Sequence, residues 1–177
     1  DALYQKGDYK TLGELIGDIK QQNDHLAQTQ FTENFTVNTI LQDAAYRAAQ
    51  SDISFDVLVS VPPQLTVAES DLCELLMNML DNALEAAAEV TDGNRFVCFQ
   101  IETKNGFLAV KCENSYSGKR RQDANGNYIT TKNDAETHGF GLKLMNAVAV
   151  RYHSILDIFT SEDRIFTVQT ALKLPKK

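Results

Sequence analysis

Apolar residues recur along the chain with two periods, and the switches between them outline the elements. From about Tyr9 to Thr29, Leu12, Leu15, Ile16, Ile19 and Leu26 fall at helical spacing. Ala2-Leu3 reads as the tail of an earlier helix, with Gly7-Asp8 as the turn between. So narrow a stripe suits packing against partner helices, and equally an ordinary surface helix. A second helix is expected over Asn38–Gln50, with Ile40, Leu41, Ala44, Ala45 and Ala48 as its apolar face. The period then drops to two over Ile53–Val61, predicting a strand that Pro62-Pro63 ends. The strongest helical pattern runs over Glu69–Val90, with Ser70 as the expected N-cap. Its stripe is Leu72, Leu75, Leu76, Met79, Leu80, Ala83, Leu84 and Ala87, and its opposite line is Glu74, Asn78, Asn82 and Glu85.

Two strands follow, Arg95–Thr103 and Phe107–Glu113, joined at Asn105-Gly106, a strong hairpin signal. From Asn114 to Thr137 apolar residues nearly vanish, and polar loops of that length are usually functional or disordered. His138-Gly139-Phe140-Gly141-Leu142 opens a helix to about Tyr152, where His153 is placed to meet the last carbonyls. Strands over Ser154–Thr160 and Arg164–Leu174 close the chain. Strands in hairpins between helices predict an α+β fold, a two-layer α/β sandwich with helices on one face of a mixed sheet.

Composition narrows the function classes. The chain has 177 residues and a formal net charge of −7, with 43% apolar residues, enough for a real core. The acidic balance argues against nucleic acid as a partner. No run approaches the roughly 20 apolar residues that span a bilayer, so no membrane contact is expected of this segment. Three cysteines, Cys73, Cys98 and Cys112, cannot all pair, which suits a reducing cytoplasmic compartment. With neither a starting Met nor a signal-peptide pattern, the sequence reads as a piece of a longer chain.

Three places hold candidate chemistry. Asn78 and Asn82 stand one turn apart beside a Leu-rich stripe, and an amide oxygen is a hard, neutral donor suited to one position on Mg²⁺. Gly139 and Gly141 open a helix whose free N–H groups and positive dipole suit a phosphate, with Lys143 as an added charge. Asn114-Ser115-Tyr116-Ser117-Gly118 lies where a strand runs into a loop, a common ligand-binding position. Each has a bland reading as well: a solvated helix face, a tight turn, an ordinary strand end.

Taken together, in this order and spacing, they resemble the GHKL ATPases in the form found in sensor histidine kinases. Glu74–Ala86 is similar to the N box and His138–Lys143 to the second glycine box. Asn114–Gly118 stands in the place of the first glycine box, normally Asp-x-Gly-x-Gly, and the polar stretch between is similar to an ATP lid. The resemblance spans roughly residues 35–174. Glu113-Asn114-Ser115, Thr130-Thr131-Lys132 and His138-Gly139 further resemble the quorum-sensing peptide-receptor kinases of Gram-positive bacteria.

The resemblance implies a Bergerat ATP-binding fold over residues 35–177. Residues 1–30 would be the remnant of a dimerisation hairpin whose phosphoaccepting His lies before Asp1. It implies ATP and Mg²⁺ as cofactors, a response regulator as partner and a homodimer in the full-length protein, a membrane-anchored receptor with this domain in the cytosol. Asn82 would coordinate Mg²⁺, with Asn78 close to metal and phosphates, and Asn114 would meet the adenine amino group. Gly118, Gly139, Gly141 and Leu142 would form turns and walls of the nucleotide site. Lys132, His138 and Lys143 would approach the phosphates. Hydrolytic and serine-kinase branches carry a Glu where Asn78 stands, and an amide is no general base near neutral pH. The expected activity is therefore phosphoryl transfer to histidine. The alternatives are a GHKL hydrolase or serine kinase, and a degenerate binding or dimerisation module, for which Asn114 and Tyr116 speak. His25 is followed by Leu26 rather than an acidic residue and is not expected to be the phosphoacceptor.

Overall fold

The Leu-rich stripe of the sequence becomes the spine of the fold. The structure, a computed structural model, describes residues 29–118, 121–122, 128–129 and 140–175. The chain falls into two units, Asp1–Gln30 and Phe31–Lys177. The predicted first helix with His25 lies outside the described residues, apart from its last position.

Helix α1 spans Phe35–Gln50, strand β1 Ser54–Ser60 and helix α2 Glu69–Ala88. Strands β2 (Phe96–Lys104) and β3 (Phe107–Ser115) form the predicted hairpin, with Asn105 and Gly106 both at positive φ, as a two-residue type I′ turn requires. Short strands β4 (Arg121–Gln122) and β5 (Tyr128–Ile129) pair with each other. Helix α3 (Phe140–Arg151), β6 (Asp157–Thr160) and β7 (Ile165–Lys173) complete the order.

The five-stranded sheet runs β1-β2-β3-β7-β6, with β1 parallel to β2 and the other neighbours antiparallel. The helices cover one face: α1 packs on β1, α2 on β2 and β3, α3 on β7 and α2. All eight predicted stripe residues of α2 are buried, from Leu72 to Ala87. A fully buried Leu or Met contributes about 1.5–3 kcal/mol, so this one helix supplies much of the core. They meet Val97, Phe99 and Ile101 of β2, Leu108, Val110 and Cys112 of β3, and Phe166, Val168 and Leu172 of β7. The mixed two-layer α+β fold is the one the periodicities predicted.

Boundaries differ where caps decide them. α1 starts one turn before Asn38, because Asn34 is the N-cap: its Oδ1 accepts from Val37 N at 3.0 Å, and its Nδ2 donates to Pro63 O at 3.0 Å. Asn38 Oδ1 instead accepts from Phe31 N at 2.9 Å and steadies the entering chain. Ser70 is not a cap. α2 begins at Glu69 after Ala68, which makes no side-chain cap bond. His153 does complete α3, but through its backbone: at φ 53° its N–H reaches Val150 O, and Ser154 N reaches Ala149 O. The pair β4–β5 falls inside the stretch read as loop; its strands are too short for a period, and Asn125-Gly126 was the only signal.

Candidate functional site

Two helices and one sheet end supply the candidate residues. α3 runs antiparallel to α2, with Gly141 beside Asn78 and Asn82 and Arg151 beside Asp71 and Glu74. A methyl group on Gly141 would stand 3.1 Å from Asn78 Oδ1, and 3.3 and 3.6 Å from Asn82 Nδ2 and Oδ1. The hydrogen side chain is therefore what lets the start of α3 settle on the two amides. Asn78 Nδ2 donates to Glu74 O one turn earlier, at 2.6 Å, which aims Oδ1 towards Gly141. Both asparagines are half-buried, because α3 covers what the sequence alone presents as a solvated line. The two amides thus meet at the Gly141 position, Asn78 presenting its Oδ1 and Asn82 its Nδ2 slightly ahead of its Oδ1.

Asn114 lies at the end of β3, in the series Leu108, Val110, Cys112, Asn114 that faces the helices. It is 2% exposed, and its Nδ2 donates to Ser115 O at 2.8 Å. The donor half of the amide is occupied by the main chain, and Oδ1 is the acceptor half. Phe96 N donates to Ser115 Oγ at 3.0 Å, fastening β2 to this corner. Tyr116 meets Phe166 edge to face, with ring centroids 6.3 Å apart, so its ring closes the core end beside Asn114. Gly118 has φ 78°, a conformation that favours glycine, and lies against the Arg164 side chain. Arg164 Nη1 in turn bonds both carboxylate oxygens of Asp92, at 3.0 and 2.9 Å.

The GHKL domain model matches residues 67–173, well over half of the chain. The chain belongs to the GHKL domain family. Among solved structures, a histidine kinase from Burkholderia phymatum is similar over 99% of this chain and 87% of its own, at 13% identity and TM-score 0.59. The catalytic domain of histidine kinase ThkA matches 80% of this chain and 97% of its own, at 15% identity and TM-score 0.58. The Acinetobacter baumannii histidine kinase AdeS matches 99% and 86%, at 15% identity and TM-score 0.54. At such identities the likeness establishes the fold. No curated protein matches the sequence.

Within this GHKL domain, the structure gathers Asn78, Asn82 and Gly141 at one point, with Leu142 half-buried against the core and Lys143 exposed. Asn114 and Gly118 stand together at the sheet end. Lys132, His138 and Gly139 lie outside the described residues. Among the described residues no group of three His, Cys, Asp or Glu side chains is placed to hold a metal. The side chains that do come together are the amides of Asn78 and Asn82, each with one neutral oxygen to offer. They suit Mg²⁺, which takes few protein oxygens and fills its other positions with water and phosphate.

Sequence reading missed the polar contacts that frame the site. Arg151 Nη2 bonds Asp71 Oδ1 at 2.7 Å and Glu74 Oε2 at 2.8 Å. Glu74, then Asp71, raise the Arg151 pKa above its ordinary value. Tyr152 OH donates to Asp71 Oδ2 at 2.9 Å and accepts from Ala68 N at 2.9 Å. Burial, with help from Asp71, pushes its phenol pKa up. Arg47 likewise joins α1 to Asp81 of α2, which raises its pKa. None of these pairings has a local spacing signal, since the partners lie 34 to 84 positions apart.

Proposed function

We propose that this GHKL domain is the ATP-binding catalytic domain of a sensor histidine kinase, of the Gram-positive peptide-receptor type. It binds Mg·ATP and delivers the γ-phosphoryl group to a histidine N-terminal to Asp1 in the parent chain. On this reading residues 1–30 belong to the helical dimerisation hairpin, the domain is cytoplasmic, the full-length protein is a homodimer, and a response regulator receives the phosphoryl group. The observation that carries the reading is the convergence of the Asn78 and Asn82 amides on the Gly141 backbone.

Asn82, with Asn78 beside it, would hold Mg²⁺. The ion when bound neutralises phosphate charge, which is most of what phosphoryl transfer asks of a site. The protein's own groups do the positioning. Gly141 lets the start of α3, with the positive end of its dipole, approach a phosphate. Asn114 Oδ1 accepts from an exocyclic amine while Nδ2 stays on Ser115 O. Lys132, His138, Gly139 and Lys143 complete the phosphate end, and Gly118 and Leu142 its walls. Transfer rather than hydrolysis is favoured because the residue one turn before Asn82 is Asn78, an amide and no general base, and Glu74, a further turn back, is held by Arg151.

The test is the parent protein incubated with γ-labelled ATP. The reading predicts an acid-labile label on a histidine before Asp1, abolished by Asn82→Ala. Label on His25, or turnover to free phosphate without labelled protein, contradicts it.

A further inference from the structure

The contacts between α2 and α3 are of two kinds, and they do different work. Along the middle of the seam α3 offers Met145, Val148 and Ala149, all buried. Apolar burial is non-directional, and Met is an adaptable filler, so these contacts hold the helices together without fixing how far one lies along the other. Directional contacts occur at the two ends. At one end Gly141 rests on Asn78 and Asn82. At the other, ten residues and about 15 Å along α3, Arg151 and Tyr152 grip the first turns of α2.

That grip is geometrically demanding. Asp71 uses one carboxylate oxygen for Arg151 and the other for Tyr152 OH. The same hydroxyl accepts from Ala68 N, the N-cap position of α2, which has no side-chain cap of its own. Tyr152 O accepts from Lys173 N of β7 at 3.0 Å, so the residue is also tied to the sheet. Hydrogen bonds weaken steeply when bent or stretched, so a slide of one helical rise, about 1.5 Å, breaks both bonds of the Tyr152 hydroxyl, which its rigid ring cannot follow.

We propose that Asp71, Arg151 and Tyr152 form a remote anchor that sets the axial register of α3 on α2, and so holds Gly141 against Asn78 and Asn82. They are positioning residues, and the proposal rests on the nucleotide-binding reading only for its consequence in binding. The tolerance at the far end is narrow: a methyl group on Gly141 would already crowd Asn78 Oδ1 at 3.1 Å. A small slip of α3 therefore alters the spacing of the amide pair and the helix start, while Asn114, at the end of the sheet, does not move with it.

The test compares wild type with Tyr152→Phe and Asp71→Asn in the 177-residue chain. The first readout is hydrogen exchange at the amides of Leu144–Ala147, which needs no nucleotide. The anchor predicts exchange about tenfold faster there, far from the substituted group. Exchange altered only near residues 148–154 overturns it. The second readout is binding of Mg·ADP and of adenosine. The anchor predicts about tenfold weaker ADP binding in both variants with adenosine binding kept within about twofold, since only the phosphate end loses its spacing. Equal weakening of both ligands marks a general loss of structure and overturns the proposal, as does ADP affinity in both variants equal to that of a wild type that binds it. Should wild type bind neither ligand while the exchange result holds, the anchor stands and the nucleotide reading falls.

Discussion

The two ends of the candidate site are built by different means. The Asn114 end lies inside one sheet, where β2–β3 and β3–β7 ladders fix every neighbour: Asn114 opposite Val97 on one side and Phe166 on the other. The Asn78–Asn82 end lies between two helices, and its spacing depends on how α3 sits on α2. A sheet ladder fixes register with a bond at nearly every step, whereas a helix seam fixes it at a few points. The helix seam is therefore the end whose spacing is more easily disturbed. Gly141 is accordingly a position no side chain can fill without moving an amide.

The largest expected effect tests the seam directly. Gly141→Val places branched carbons where 3.1 Å separates a methyl from Asn78 Oδ1. Overpacking of this kind costs about 1–3 kcal/mol. We expect a lower unfolding midpoint together with more than tenfold weaker Mg·ADP binding, read by thermal melts and calorimetry. Asn114→Asp probes the sheet end and is expected to act in the opposite direction. A charged acceptor makes a stronger bond to an exocyclic amine, a gain of about 1 kcal/mol, or roughly fivefold tighter ADP. Weaker binding in this variant would mean that the Nδ2 bond to Ser115 O matters more than the acceptor.

Smaller effects sharpen the contrast. The Arg164–Asp92 pair beside Gly118 is solvent-exposed on both sides. Such pairs contribute about 0.2–1 kcal/mol, so Arg164→Met is expected to shift stability by no more than that and to leave ADP affinity within about twofold. Least of all, Glu74→Gln is expected to leave any ATP hydrolysis by the chain unchanged, since Arg151 already holds this carboxylate. A clear fall in hydrolysis, measured as phosphate release, would bring the hydrolase reading forward.

Much of this architecture was legible in the chain. The stripe from Leu72 to Ala87 specified which face of α2 is buried, and Asn105-Gly106 specified the hairpin, because both signals are local and repeat at the period of their element. The candidate residues were legible as three motifs, but not their contacts. Nothing in the sequence says that Gly141 rests on Asn78, or that Tyr152 caps the start of α2 from 84 positions away. Those are tertiary events with no period. The misplaced N-cap has the same origin: Ser70 looks suitable locally, yet the cap position is Ala68, two residues earlier, and the hydroxyl of Tyr152, just past α3, accepts from its N–H.

In the proposed function the asparagine pair at the α2–α3 seam holds a magnesium-bound nucleotide. The most direct test is calorimetry of ADP binding to the 177-residue chain, with and without Mg²⁺, for wild type and Asn82→Ala. The account predicts binding by wild type that strengthens with Mg²⁺, and at least tenfold weaker binding with little Mg²⁺ dependence in Asn82→Ala, since hydrogen-bonding groups that serve charged partners contribute about 1.5–3 kcal/mol. Absence of binding by wild type, or equal and equally Mg²⁺-dependent binding by both proteins, would contradict it.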